Sequence, residues 1–425
     1  MTSQGEPTPG RSLWHDGRFR TFWIGETLSQ FGDRISELAL PLIAVVLLEA
    51  SAAEVGLLTA AVWAPNLLSL LVGSWVDQRP KKRPLLIGAD LARALVLASV
   101  PVAYSLDALT LAHLFVVALL AGVGQVLFST SYQPFFVSLV DRSRYLEANS
   151  KLSASRSASF IAGPAVGGAL VQLLTAPVAV LVDALTFVAS AVQIARVRVE
   201  ERPVEVTSES LLQRARDGLR IVVRHPYLRA SLGCATTLNF FTFMAQALLV
   251  LFASRTLGLS AGVIGLAFGV GAVGGLLGAV VAPRLAARFG VGPIIVAGAI
   301  LFPAPLALLA LAGGPDWSAA LVLAAVEFLS ALGVMLFDVN LNSLQTTVTP
   351  DAVRARVSGA FTTINYGIRP LGAVVGGTLG TQLGIRETMV IAAIGGVLSV
   401  LWLLPSPIPR VRALDGLEPP APVSV

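Results

Sequence analysis

The chain of 425 residues is 55% hydrophobic and only 13% charged, with a mean hydropathy of +0.77. It has too little polar surface for a water-soluble globule of this length, so the protein is predicted to be solvated by membrane lipid. A single cysteine, Cys234, excludes a disulfide framework and a multi-cysteine metal site, and no cofactor is expected. The net charge of +5 lies in short loops between apolar runs, which indicates membrane topology and not a nucleic-acid partner.

The predicted fold is all-α and integral to the membrane. Residues 1–19 are polar and lack the apolar core of a signal peptide, which indicates a cytoplasmic tail. A hydrocarbon core about 30 Å thick needs roughly 20 apolar residues per helix. Twelve segments satisfy this length, at 20–48, 54–76, 84–105, 110–138, 152–174, 177–195, 230–254, 261–283, 291–312, 318–342, 357–383 and 388–405.

The distribution of cations sets the predicted orientation and domain division. Of the 30 Lys and Arg residues, only Arg255 and Arg386 fall in loops predicted to lie outside, so both termini are predicted to be cytoplasmic. The membrane is predicted to be a bacterial-type cytoplasmic (inner) membrane. The domains are two six-helix bundles at 20–195 and 230–405, a cytoplasmic linker at 196–229 and a C-terminal tail at 406–425. The second part of the linker, from Leu211 to Arg224, predicts either an amphipathic helix on the inner leaflet or a plain linker helix.

The two halves of the chain are similar to each other. Leu139-Val140-Asp141 is echoed by Val348-Thr349-Pro350-Asp351, and an offset of about 208 residues aligns the segments that follow. A duplicated six-helix unit predicts two bundles that face each other across a central cavity, which is how alternating-access carriers are built.

The loop after the second segment resembles the loop between the second and third helices of major facilitator superfamily transporters. The matching residues, with one cation displaced to Arg79, are Gly73, Asp77, Lys81 and Lys82. The resemblance implies that Asp77 closes the cytoplasmic side. Its carboxylate would accept hydrogen bonds from the N-terminus of helix eleven, or pair with Arg354 or Arg356 in the loop before that helix. Gly73 would let helices two and eleven touch. The alternative is a basic turn that only follows the positive-inside rule.

A second stretch resembles the fifth-helix motif of the antiporters of this superfamily. The matching residues are Gly163, Pro164, Gly167 and Gly168, which permit close helix packing and a kink. Ordinary small-residue packing is the alternative. The fourth helix has Gly122-Val123-Gly124, but Ala118 stands where many drug:proton antiporters carry an arginine. This favours a resemblance to the branch of macrolide-efflux proteins and the enterobactin exporter.

Ionisable residues inside the segments are the candidates for coupling to protons. One face of the first helix carries Gln30, Asp33, Arg34 and Glu37, at a spacing that keeps them together. Asp33 and Glu37 are the leading proton carriers, and a permanent salt bridge of either with Arg34 is the alternative. The second-rank carriers are Glu327 and Asp338 in helix ten.

Two further sites inside the predicted helices carry charge. Asp90 and Arg93 stand three residues apart on helix three and are expected to pair with each other. Asp183 on helix six is either a hydrogen-bonding group or a second titrating site.

A ligand site in the cavity should combine apolar surface with a few polar anchors. The candidates, besides Gln30, are Trp63, Asn66, Gln125, Tyr132, Asn239, Phe243 and Gln246. The sequence therefore predicts a secondary transporter, not an enzyme, that is monomeric and exports a small hydrophobic or amphipathic compound by proton antiport. An importer or uniporter of the same fold, or a membrane sensor without transport, are the alternatives.

Overall fold

The structure is a computed structural model that describes residues 12–199, 201 and 211–414. The remaining parts of the predicted tails and linker, at 1–11, 200, 202–210 and 415–425, lie outside the described residues. The α-helices in chain order are α1 Gly17–Leu42, α2 Ala52–Trp63, α3 Ser69–Asp77, α4 Arg83–Ser105, α5 Leu111–Leu139, α6 Tyr145–Leu174, α7 Ala176–Arg196, α8 Leu211–Arg224, α9 Pro226–Leu251, α10 Ala261–Phe289, α11 Val291–Leu301, α12 Asp316–Val348, α13 Asp351–Gly367, α14 Arg369–Gln382 and α15 Ile385–Leu398.

The helices are consistent with twelve membrane spans. In the described part of the chain, nine helical segments are long and apolar enough to cross a membrane, and the α2–α3 pair, bent by 48°, forms a tenth. The α1 segment and the α13–α14 pair complete the twelve. Both are more polar, because α1 carries six charged residues and α13 begins with a charged turn. The fold prediction is confirmed at the level of an all-helical membrane protein.

Two of the predicted helices are broken in the middle. The second span changes from α-helix to a 3-10 helix at Ala64–Leu68, where Pro65 removes a backbone donor. The eleventh span was predicted as one helix over 357–383, which is wrong, because α13 begins at Asp351 and is separated from α14 by Ile368. Pro370 follows this break and cannot continue the hydrogen bonding of the preceding turn.

The internal repeat is visible in the backbone. The first helix of each half has 26 residues, and the second copy is shifted by 209 residues (226 minus 17). The same shift relates the π-helical turns that follow, Ile43–Leu47 and Phe252–Thr256. It also relates Thr175 and Gly384, which both have φ of +105° and separate the last two helices of their halves. Equal irregularities at equal positions indicate two copies of one structural unit.

The two bundles, α1–α7 and α9–α15, contact each other chiefly through α2 with α14 and α6 with α10. We call the end of the molecule that carries the linker the linker end, and the opposite end the far end. At the far end, a Cβ added to Gly56 would lie 2.6 Å from the carbonyl oxygen of Ala373 and 2.8 Å from the Cα of Gly377. Gly168 meets Ala261 and Gly265 in the same way, so helix backbones from the two bundles touch there.

Hydrogen bonds between the bundles are also concentrated at the far end. Among the described residues, Arg255 donates to the carbonyl of Ala50 at 2.8 Å and to that of Val45 at 2.5 Å. The amide of Ala53 donates to the hydroxyl of Thr381 at 3.0 Å. At the linker end, α3 instead packs on α5 of its own bundle and α13 packs on α8. The interface is therefore closed at the far end and looser towards the linker end.

The linker helix α8 packs against protein. Val222 is fully buried in the core of the second bundle, and a Cβ on Gly218 would contact the backbone of Arg356 in α13. Leu219 stays exposed. The apolar side of α8 is thus shared between a contact with α13 and the surroundings of the protein.

Candidate functional site

The breaks in the second and eleventh spans meet at a cluster of aromatic side chains around Arg369. The guanidinium carbon of Arg369 lies 4.2 Å from the ring centre of Tyr366, 4.5 Å from that of Trp63 and 4.6 Å from that of Phe243. Its Nε donates to Oδ1 of Asn239 at 2.9 Å. We call these five residues the Arg369 cluster. It joins the bundles, because Trp63 belongs to the first and the others belong to the second.

Local sequence explains why these side chains converge. Trp63 is the last residue of α2, and Asn66 donates to its backbone carbonyl at 3.2 Å within the 3-10 helix. Arg369 is the first residue of α14, immediately after the break. Tyr366 is exposed and the other four residues are half-buried, so the cluster keeps an accessible face. Aromatic rings around a cation form a site that is selective for positive charge.

Three of the predicted cavity residues, Trp63, Asn239 and Phe243, are therefore brought together. Tyr132 instead packs in an aromatic group of the first bundle with Phe22, Phe128 and Phe136. Gln125 and Gln246 are exposed. Neither Tyr366 nor Arg369 was among the predicted site residues. No signal in the sequence places Arg369 against aromatic rings, because its neighbours come from three different helices.

The second polar site lies on α1. Asp33 forms an ion pair with Arg93 of α4, and Arg34 pairs with Glu37 at 2.5 Å. Gln30 donates to Glu26 at 2.8 Å. The predicted face of α1 therefore carries two separate ion pairs, with different arginines. An ionisable group inside a membrane helix is costly, by about 2.5–3.5 kcal/mol on insertion scales, unless it has such a partner or faces a cavity.

The expected pairing of Asp90 with Arg93 is wrong. Arg93 points to Asp33 of α1, and its guanidinium lies 3.8 Å from the ring centre of Phe187. Asp90 is fully buried, and among the described residues neither its carboxylate oxygens nor the Nε of Arg93 has a hydrogen-bond partner. The reason is that Arg93 meets the carboxylate of Asp33 on a neighbouring helix. The spacing of residues along α4 does not reveal that contact.

Asp183 and Glu26 complete the polar group. The Ser36 hydroxyl donates to the carboxylate of Asp183, and the Thr186 hydroxyl lies 3.3 Å from the same carboxylate. Asp183 is therefore a hydrogen-bonding group, which is one of the two roles predicted for it. Sequence reasoning missed Glu26, which is buried. The spacing of Glu26, Gln30 and Asp33 on one helix face was the signal that would have found it.

Small residues create the space for these charges. A Cβ on Gly163 would lie 2.5 Å from Cβ of Arg34, and one on Gly124 would lie 2.5 Å from Cγ of Arg93. A Cβ on Gly32 would collide with Asp183. Gly167 packs on Ile35 of α1, with 3.1 Å from its added Cβ to the Cα of Ile35. The Gly163-Pro164 and Gly167-Gly168 motif of α6 thus packs on α1 on one side and on α10 on the other.

The loop from Gly73 to Arg83 is organised by Lys82. Its buried ammonium donates to the carbonyl of Val76 at 2.7 Å and to that of Asp77 at 3.2 Å, and so caps the last turn of α3. Arg79 lies 4.5 Å from the ring centre of Trp75, and Lys81 is exposed.

Asp77 itself is exposed, and within the described residues it forms no ion pair. Gly73 faces Thr130 of α5 at 4.0 Å and not the eleventh span. Arg354 and Arg356 were expected in a loop before helix eleven. They lie within α13, because this helix begins at Asp351, earlier than predicted.

The second-rank carboxylates lie in α12. Glu327 packs against α10, where a Cβ on Gly271 would lie 2.9 Å from its Cβ. Asp338 lies close enough to Arg369 to attract its charge, but it forms no ion pair among the described residues. Asp338 therefore belongs to the surroundings of the Arg369 cluster, and Glu327 does not.

Two repeated helical bundles in a membrane, closed against each other at one end and holding partly buried polar sites, define a membrane transporter of the major facilitator fold. The chain belongs to the transmembrane secretion effector family, and the match to this family covers residues 12–422. It is 26% identical over 405 residues to the multidrug efflux pump Tap of Mycolicibacterium fortuitum, covering 90% of this chain and 94% of that one.

Solved structures share the fold. A bacterial homologue of the iron transporter ferroportin, in an inward-facing state, has a TM-score of 0.75 at 18% identity and covers 93% of this chain and 99% of its own. A bacterial homologue of the lysosomal transporter Spinster, inward-facing and occupied, has a TM-score of 0.73 at 15% identity. It covers 97% of this chain and 100% of its own. At these identities the likeness concerns the fold alone.

Proposed function

We propose that the protein exports a small hydrophobic or amphipathic compound, such as a drug, a siderophore or a secondary metabolite, by proton antiport with alternating access. The relative described as a multidrug efflux pump supports export. The excess of Lys and Arg in alternate loops supports a cytoplasmic location for the linker end and both termini in a bacterial-type inner membrane. In that orientation the closed far end faces the outside, which supports uptake of the substrate from the cytoplasmic side in this state.

The observation that carries proton coupling is the group of buried charges in the first bundle. Half-buried Asp33 pairs with the buried Arg93, and the fully buried Asp90 stands three residues before Arg93 on α4. Intramembrane ionisable groups of this kind mark ion pathways and proton relays. We take Asp33 and Glu37 as the proton carriers, each with its own arginine, and keep Glu327 and Asp338 as second-rank carriers.

The ion pairs suggest how a proton changes the conformation. Protonation of Asp33 neutralises the partner that holds Arg93, and Arg93 then turns towards Asp90, three residues away on the same helix. Its contact with α1 is weakened in this state. Because α1 also packs on the Gly163 to Gly168 motif of α6, this motif is the proposed hinge that transmits the change to the interface with α10.

The loop from Gly73 to Arg83 has a role in the opposite state. The exposed position of Asp77 fits a latch that is disengaged while the cytoplasmic side is open. When the linker end closes, α3 approaches α13. Asp77 then reaches the N-terminal turn of α13 and the side chain of Arg354 or Arg356. Lys82 keeps the end of α3 folded in both states, because the bonds of its ammonium are internal to α3 and the loop.

The test is transport in proteoliposomes with an imposed pH gradient, using ethidium as the probe. The double variant Asp33→Asn/Glu37→Gln is expected to lose transport driven by the pH gradient but to keep exchange of ethidium down its own gradient, because the cavity remains. Glu49→Gln is the matched control, since Glu49 is an exposed carboxylate outside both sites. If the two single variants and the double variant all keep full coupled activity, the assignment fails.

The direction of transport is measured separately in everted membrane vesicles. An exporter accumulates ethidium in these vesicles when they are energised with an acidic interior. Loss of ethidium from preloaded vesicles under the same gradient contradicts export and identifies an importer.

A further inference from the structure

The Arg369 cluster has the composition of a binding site for an organic cation, but its occupant is a side chain of the protein. Three rings, from Trp63, Phe243 and Tyr366, surround the guanidinium within 4.2–4.6 Å. Trp63 and Phe243 meet edge to face at 5.2 Å, and Trp63 and Tyr366 stack at 6.1 Å. Aromatic faces in this arrangement attract delocalised and quaternary cations. A second cation can enter only if Arg369 leaves.

A place for the displaced arginine is present. Asp338 of α12 lies within electrostatic reach of Arg369 and carries no ion pair in the described part of the chain. Arg369 follows the break at Ile368, so its backbone is not held by a continuous helix on both sides. When the side chain of Arg369 rotates towards Asp338, its contacts with the three rings are replaced by an ion pair. Because Arg369 stays in the site, ligand binding raises the net charge of the site only by the charge of the ligand.

We infer that Arg369 is a tethered competitor for the ligand. An organic cation with aromatic or quaternary character binds to the rings of Trp63, Phe243 and Tyr366, and Arg369 moves to Asp338. The inference rests on the proposed function, since it names the substrate class of that transporter. It also gives a reason why binding affects conformation. The contact between Arg369 and Trp63 joins the two bundles where both spans are broken, and the ligand replaces it.

The experiment measures binding of tetraphenylphosphonium to the full-length protein in detergent, without a pH gradient. Arg369→Gln is expected to tighten binding about tenfold, because it removes the competitor. Trp63→Leu is expected to weaken binding by about tenfold or more, and Trp63→Phe, which keeps a ring, is expected to weaken it less. Arg288→Gln is the matched control, because Arg288 is an exposed arginine that lies 5.2 Å from the ring centre of Phe289 and outside both sites, and it is expected to leave binding nearly unchanged.

The double variant Arg369→Gln/Trp63→Leu separates competition from simple charge repulsion. Competition for the rings requires that the gain from Arg369→Gln disappears when Trp63 is leucine. If the tenfold gain persists in that background, or if Arg288→Gln produces the same gain, the inference is overturned. Weaker binding of tetraphenylphosphonium by Arg369→Gln also overturns the inference, provided that this variant elutes as the folded protein. Since no transport is measured, a failure of proton-coupled export leaves these outcomes unchanged, and the two proposals fail separately.

Discussion

Replacement of Gly56 by alanine is expected to weaken the closure of the far end. The added Cβ would lie 2.6 Å from the carbonyl oxygen of Ala373 and 2.8 Å from the Cα of Gly377. Both are backbone atoms of α14, so no flexible side chain can move aside. The two helices must separate by several tenths of an ångström, and this happens only in the state in which the far end is closed.

The size of the effect follows from the cost of inserting a methyl group into a packed contact, about 1–3 kcal/mol. Because the open far end does not contain this contact, the cost falls on one state alone. The equilibrium between the two states is then shifted by about 5- to 150-fold towards the form with an open far end. Helix propensity does not explain such a shift, since it favours alanine over glycine in both states.

The assay is distance measurement between pairs of spin labels. The single cysteine, Cys234, is buried and is first replaced by serine. One pair of labels, at Asp107→Cys and Asp316→Cys, spans the far end, and another, at Gln78→Cys and Ala287→Cys, spans the linker end. All four positions are exposed. Gly56→Ala is expected to lengthen the distance across the far end and shorten the distance across the linker end.

The matched control is Gly88→Ala. Gly88 lies in α4, and a Cβ added there has no neighbouring atom within 4 Å. This variant changes helix propensity in the same way without touching another helix. If Gly56→Ala and Gly88→Ala give the same two distance distributions, then the contact between α2 and α14 does not control the closed state.

Two further predictions concern the charged groups. Arg93→Leu leaves Asp33 without its ion-pair partner and is expected to lower stability by about 3–5 kcal/mol, seen as a lower thermal unfolding midpoint in detergent. Adding Asp33→Asn to Arg93→Leu is expected to restore part of this loss, and no recovery would contradict a stabilising pair between Asp33 and Arg93. Asp77→Asn is expected to insert and fold normally but to reduce ethidium transport about tenfold, by favouring the state with an open linker end. Normal transport by Asp77→Asn would reduce this loop to a basic turn that only sets topology.

The helix breaks depend on local sequence, but their relative position depends on tertiary structure. Pro65 and Pro370 each remove a backbone donor, so a break near them follows from the sequence. The sequence does not tell that the two breaks lie at the same level on helices of different bundles. That coincidence creates the Arg369 cluster, and it depends on how the bundles are docked.

The amino-acid sequence by itself determined the class of the protein, the number of apolar segments and the internal repeat. These properties follow from composition and from periodicity along the chain, which are local. It also placed Gln30, Asp33, Arg34 and Glu37 on one face of α1, because helical spacing is fixed.

Only the tertiary structure decided the partners of these residues. Arg93 pairs with Asp33 and not with Asp90, and Arg369 lies among rings from α2, α9 and α13. The physical reason is that a side chain's partner on another helix depends on the rotation and approach of that helix. Both are set by contacts such as Gly124 with Arg93 and Gly163 with Arg34, which join residues far apart in the chain.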